Sequence, residues 1–359
     1  FLGMILKYAE CTLSNKYRHI NFDGCVAIVT GGSREMGLKQ KLGRFAKILA
    51  VVFAIATVVC SLGTGNMAQS NSISDALLTN YGVPDWVSGL ILTSLVLLVI
   101  VGGIKRIAEV TSRLVPFMAV LYFIAAMVVI IANFEDVPQA FQLIFHDAFS
   151  GTAAAGGFVG STFMMTLVWG VRRGLFSNEA GQGSAAIAHA AAKTKYPARE
   201  GLVASVGPLV DTLIICTLTA LLIIVTGAWD SGEKGVGMTI LGLSKGLTRL
   251  GIEHTGRHIV GVGLLLFAFS TMISWSYYGS RAANYLMGEK AIIPYRYLFG
   301  LFVFFGSIWG IDLVWHFVDM VITFMTIPNL IALLLLTPVV VQETKKYFKE
   351  MEKVKFKPD

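Results

Sequence analysis

The feature that most constrains this chain is a series of long runs with almost no charge. They fall at 48–74, 86–104, 114–134, 148–171, 201–228 (interrupted once, by Asp211), 259–280, 297–311 and 320–342. A bilayer core ~30 Å thick takes about 20 helical residues to cross, and a helix satisfies its own backbone hydrogen bonds in hydrocarbon. Eight such runs in 359 residues therefore predict an all-α integral membrane protein with about eight spans. Composition closes the alternatives: charged residues are 14% and hydrophobic ones 55%, against the ~25% charged of an average soluble chain. Disorder is excluded by the same excess of apolar surface. No tandem repeat exists, and no stretch between spans is long enough to build a core of its own, so residues 1–359 read as a single transmembrane domain.

The order of the runs places the connecting loops alternately on two sides, and the 29 Lys and Arg residues separate sharply. One side takes 23, from 7–47, 104–113, 193–199, 281–296 and 345–357; the other takes Lys234, Lys245, Arg249 and Arg257. The positive-inside bias makes the first side cytoplasmic, with the C-terminus, in the inner (plasma) membrane. The net charge of +7 comes from those loops, and no basic stripe with interleaved aromatics suggests a nucleic-acid partner. Segments 134–149 and 239–252 have helical apolar spacing but are too polar to cross, and are expected to lie along the outer surface. Cys11, Cys25, Cys60 and Cys216 have no ligand spacing and read as packing residues. Position 1 is Phe, in a segment resembling the tail of a helix, so the chain is expected to be truncated at its N-terminus.

Polar and flexible residues at membrane depth carry the functional information. The stretch from Gly151 to Ala192 contains the Gly-rich core GLFSNEAGQGS. Two half-helices meeting there at mid-membrane would expose peptide N–H and carbonyl groups able to hold a carboxylate and a cation. The other reading is a span that ends near Val171, followed by a cytoplasmic loop through Arg199. In SLGTGNMAQSNSIS (61–74), Asn66 stands three residues from Gln69 and four from Ser70, placing all three on one face of a regular helix. That face serves either interhelical hydrogen bonds or the wall of a solute cavity. In FAFSTMISWSYYGS (267–280), Ser270, Thr271 and Ser274 could offer neutral oxygens to a monovalent cation, or bond back to their own helix. Trp275, on the face of Thr271, could cover a small ligand or fill the core.

The remaining ionisable groups divide similarly. Asp211 sits alone in its span and calls either for a hydroxyl or amide partner or for a proton relay. His189, on an Ala-rich segment, reads as a hydrogen-bonded packing residue or a titrating one. Arg172 and Arg173 are loop residues if the span ends near Val171, and otherwise face protein or water. No nucleophile–base pair, GxSxG elbow, P-loop or HExxH is present, so an enzyme is not expected and no cofactor is implied.

The segment RGLFSNEAGQGSAAIAHAAAKTKYPAREGLVASVGPLVDTLIICTLTALLIIVTG (173–227) resembles the alanine or glycine:cation symporters of bacteria and archaea, within the amino acid–polyamine–cation superfamily. The resemblance continues through GTGNMAQSNSI, IKRIAEVTSRLVPFMAVLY and FSTMISWSYYG. It implies a transporter of the LeuT-type 5+5 fold, two inverted five-helix repeats, taking up a small neutral amino acid with Na⁺ by alternating access. On that template the spans are core helices three to ten and residues 1–18 end helix two, so helix one is expected upstream. Carried over by position, Phe176 to Gly181 resembles the unwound link of the sixth helix. Phe176, Gly181, Thr271 and Trp275 then bind substrate, Asn66 and Gln69 line the cavity, and Ser270 and Thr271 hold sodium. Residues 24–43 depart from the family pattern after helix two. The resemblance leaves open an H⁺-coupled or glutamine-preferring transporter; from the residues alone, a non-transporting amino acid sensor also stays open. A monomer is expected.

Overall fold

The computed structural model describes residues 44–149, 159–190, 194, 196–233 and 235–355. Residues 1–18 and 24–43, to which helix two and the family departure were referred, lie outside them, as does part of the 148–171 run. Among the described residues the structure is helical and contains no strand. Thirteen α-helices are described: α1 Arg44–Leu62, α2 Ala68–Tyr81, α3 Asp85–Ile100, α4 Gly103–Ala132, α5 Val137–Phe149, α6 Val159–Ser177, α7 Ser184–His189, α8 Pro197–Pro208, α9 Thr217–Val225, α10 Val236–Leu247, α11 Glu253–Met287, α12 Ile292–Ile308 and α13 Ile311–Lys355. Two wide π-turns interrupt them, Gly63–Met67 between α1 and α2 and Leu209–Cys216 between α8 and α9.

Six continuous helical stretches are long and apolar enough to cross a membrane: Lys47–Tyr81, Gly103–Ala132, Pro197–Val225, Glu253–Met287, Glu289–Ile308 and Ile311–Glu352. Each contains or overlaps one of the eight runs. The 86–104 run yields the shorter apolar helix α3, because the chain turns at Gly102 and Gly103, the latter at φ +77°. Large side chains are turned outward along these helices, among them Phe117, Phe324 and Leu334, the last 75% exposed. Such an apolar surface belongs against lipid. The two amphipathic segments are helical as read, in α5 and α10.

The chain forms two compact units. The first comprises residues to Pro116, Gly181–Val206 and from Phe267 onward. Its helices pack without the water-driven force that assembles soluble bundles, so small residues and interhelical hydrogen bonds decide the contacts. Gly306 lets α12 approach the Met67 backbone, where a Cβ would sit 2.6 Å from Cα, and Gly300 accepts Leu97 of α3. Asn71 donates to the carbonyls of Gly306 (3.1 Å) and Trp309 (2.7 Å), tying α2 to the end of α12. The second unit comprises Phe117–Ala180 and Gly207–Leu266, with a core of Ala126, Val129, Leu222, Leu243 and Leu247. At its edge Arg249 pairs with Asp136 at 2.8 Å and Asn133 donates to the Gly246 carbonyl at 2.9 Å.

Candidate functional site

The helix that begins at Val159 stops at Ser177, and regular structure resumes only at Ser184. The intervening Asn178–Gly183 segment turns through positive φ three times, at Glu179 (+56°), Gly181 (+75°) and Gly183 (+84°). Glu179 is the one described non-glycine residue with positive φ, a conformation that costs free energy and persists only where surroundings enforce it. Local bonds enforce it here: Ala180 N–H donates to Leu175 O (3.1 Å) and to Asn178 Oδ1 (2.9 Å). The interruption between helices begins two residues later than the resemblance suggested, since Phe176 and Ser177 complete the last turn of α6.

Within the first unit the far end of the break is fastened by Asn329 of α13, 3% exposed, whose Nδ2 donates to the Gly181 carbonyl at 2.8 Å. Gly183 lies so close to this contact that a Cβ would stand 2.6 Å from Asn329 Oδ1 and 2.9 Å from Phe53 Cε2. Any other residue at 183 would meet both the strain and the clash. Gln182 and Ser184, on either side, are buried. His189, at the end of α7, has a carboxylate partner: Nδ1 lies 2.7 Å from Glu200 Oε1.

The GTGNM π-turn packs against α11. Trp275 is 3% exposed and its ring lies directly on Gly65, edge-on to Tyr278 at 5.3 Å. Thr64 and Asn66 are buried in the same turn. A π-turn holds more residues per turn than an α-helix, so the spacing that put Asn66, Gln69 and Ser70 on one face does not survive. Asn66 and Ser70 are fully buried, Asn66 Nδ2 donating to the Phe299 carbonyl at 2.7 Å, whereas Gln69 is half-buried and donates to Thr64 O at 3.4 Å. Ser270 and Thr271 both donate to the Phe267 carbonyl, at 2.8 and 2.9 Å. With their protons committed to that carbonyl, the two adjacent hydroxyl oxygens can act toward a cation as acceptors.

In the second unit, Arg173 lies over the rings of Trp169 (5.3 Å) and Phe176 (5.9 Å), and Arg172 over Trp169 (5.2 Å). These arginines belong to the helix and not to a loop. Asp211, in the π-turn after Pro208, accepts a short hydrogen bond from Ser177 Oγ, so its partner is a hydroxyl at the last residue before the break. Sequence reasoning missed Asn329. Its signal was available, since it is the one asparagine in the 320–342 run and lies in its interior, the criterion that had drawn attention to Asn66. Among the described residues no three His, Cys, Asp or Glu side chains gather as a metal site.

The model of the Sodium:alanine symporter family matches residues 1–358. The "Sodium/alanine symporter AgcS" of Methanococcus maripaludis is 42% identical over 353 residues, 97% of this chain and 75% of that one. The "Probable sodium/glutamine symporter GlnT" of Bacillus subtilis is 35% identical over 359 residues, 97% of this chain and 70% of the relative. The "Sodium/proton-dependent alanine carrier protein" of Bacillus sp. PS3 is 32% identical over 372 residues, 99% and 80% respectively. A chain with these spans, this break and this match along its length belongs to the sodium:alanine symporter family, and is a multi-pass membrane transporter rather than an enzyme.

Proposed function

We propose that the chain takes up a small neutral amino acid, alanine or glycine, together with Na⁺ by alternating access, as one transporter domain. The observation that carries this reading is the break at Asn178–Gly183, pinned through its Gly181 carbonyl by Asn329. Peptide groups released from helical bonding there can hold a zwitterion's charged ends without a charged side chain. Gly181, Thr271, Trp275 and Gln69 line the substrate position, and Asn66 supports it from behind through its bond to Phe299. Trp275, fixed on Gly65, limits the size of the side chain accepted. The place of Phe176 in the site rests on the family resemblance alone.

Sodium binds the Ser270 and Thr271 oxygens, so that ion occupancy favours the state that binds substrate. The LeuT-type arrangement of two inverted five-helix repeats, the count of eight spans, the inner membrane, the cytoplasmic C-terminus and the monomer belong to the same proposal. The relatives' names motivate the choice of ligands to test: alanine with sodium for AgcS, protons as well for the PS3 carrier, glutamine for GlnT.

The test is uptake of radiolabelled alanine into proteoliposomes under a Na⁺ gradient, a proton gradient or neither, with glycine and glutamine as competitors. Stimulation by Na⁺ and competition by glycine are expected. Equal counts with and without Na⁺ would remove the coupling ion, stronger competition by glutamine would reassign the substrate, and binding without counterflow would mark a sensor.

A further inference from the structure

One end of the first unit carries more basic than acidic side chains among the described residues. Segments 101–113 and 281–296 contain six bases (Lys105, Arg106, Arg113, Arg281, Lys290, Arg296) and two acids, Glu109 and Glu289. Glu109 is occupied by Arg113, four residues along α4. Among the described residues neither Arg281 nor Arg296 has a carboxylate within ion-pair distance.

Arg296 is the more telling of the two. It stands near the start of α12, half-buried, with Nη1 3.4 Å from the Val101 carbonyl at the end of α3. Its Nε is buried and has no hydrogen-bond partner among the described residues. Gly103, at the start of α4, leaves room beside the guanidinium, which lies 3.8 Å from where a Cβ would be. Arg281 of α11 lies over the Tyr277 ring at 5.0 Å, and its helix touches that of Arg296 where Gly279 meets the Tyr295 side chain. Two guanidinium groups on touching helices at one membrane end, with no carboxylate in ion-pair reach among the described residues, favour an anion beside them.

The planar fork of arginine suits a phosphate, which can take the terminal N–H groups that do not share the burial of Nε. Beside it the surface is apolar and outward-facing: Leu98 is 60% exposed, Val101 41% and Tyr297 57%. A free phosphate has no use for that surface, but acyl chains do. We propose that Arg281 and Arg296 form a site for the phosphate of an anionic phospholipid, whose chains lie along Leu98, Val101 and Tyr297. Basic pockets between helices at membrane ends are suited to such headgroups. The inference rests on the chain being a membrane protein and is independent of the amino acid and coupling ion proposed above.

The experiment is a titration of the purified full chain in detergent with phosphatidylglycerol or phosphatidylcholine, bound lipid being counted by native mass spectrometry. Phosphatidylglycerol should be held in preference to phosphatidylcholine. Arg281→Gln and Arg296→Gln should each weaken its binding about fivefold, Arg296→Lys, which keeps the charge without the fork, should fall between, and Lys345→Gln, exposed on α13, should have no effect. Should Arg296→Gln fail to fold, Arg281→Gln carries the test. Equal retention of phosphatidylglycerol by Arg281→Gln and the unmodified protein, equal retention of the two lipids, or displacement by millimolar inorganic phosphate would each overturn the assignment.

Discussion

Replacing Gly65 by alanine should be among the most damaging single-methyl changes in this chain. The added Cβ would stand 2.0 Å from Trp275 Cγ, 2.1 Å from its Cβ and 2.5 Å from its Cδ2. Rotating the indole cannot relieve this, because the Trp275 Cβ moves only with its backbone. The π-turn and α11 must therefore separate locally, from 2.1 Å toward the 3.4 Å at which ordinary contact begins. Both lie in a packed core, Trp275 among Phe53, Ile187 and Tyr278, so the separation opens voids on either side. Forcing a methyl group into a filled core costs about 1–3 kcal/mol, and the absence of a rotamer escape puts this site at the upper end. The assay is thermal unfolding of the detergent-purified protein, followed by loss of the monodisperse peak, beside alanine uptake. Gly65→Ala should lower the midpoint by several degrees and abolish most uptake. Trp275→Ala should not rescue it, since alanine keeps the offending Cβ. Full rescue by Trp275→Ala, or a midpoint within one degree of the unmodified protein, would refute the reasoning.

Gly183→Ala combines positive φ with two clashes and should cost about 2 kcal/mol or more, read in the same unfolding assay, with a larger loss of uptake than of stability. Asn329→Ala removes the donor to the Gly181 carbonyl and should reduce alanine uptake while the protein still purifies as one species; a wild-type rate would detach the break from function. Ser177→Ala leaves Asp211 without its short hydrogen bond, and should weaken transport more than Ser205→Ala, whose exposed hydroxyl bonds only to its own helix. Arg249→Ala breaks a partly exposed pair with Asp136 and should change stability by less than about 1 kcal/mol, a midpoint shift that disappears in high salt.

The long apolar spans were legible because the cause and the signal are the same: length without charge is what makes a segment cross a membrane. The break was legible through Gly181 and Gly183, which no regular helix would place so close together. Its start was not, because Phe176 and Ser177 are compatible with a helix and are held in one by the preceding turn. Both π-turns were invisible, since an extra residue per turn leaves the apolar composition unchanged, and the register of Asn66 and Gln69 was misplaced for that reason. The seat of Trp275 on Gly65 joins segments far apart in sequence, so periodicity could identify each partner as unusual without pairing them. Asp211 was identifiable as an acid within an apolar run; its hydroxyl partner, contributed by the helix ahead of the break, emerged only from the fold.

The most direct measurement of the central claim is protection of the break itself. Ala180 is exposed, so Ala180→Cys, in a chain with Cys11, Cys25, Cys60 and Cys216 replaced by serine, should react readily with a small thiol reagent. If the break holds the amino acid and sodium favours that state, alanine should slow the reaction several-fold in Na⁺ and far less in choline. A labelling rate that alanine leaves unchanged in both would contradict the account.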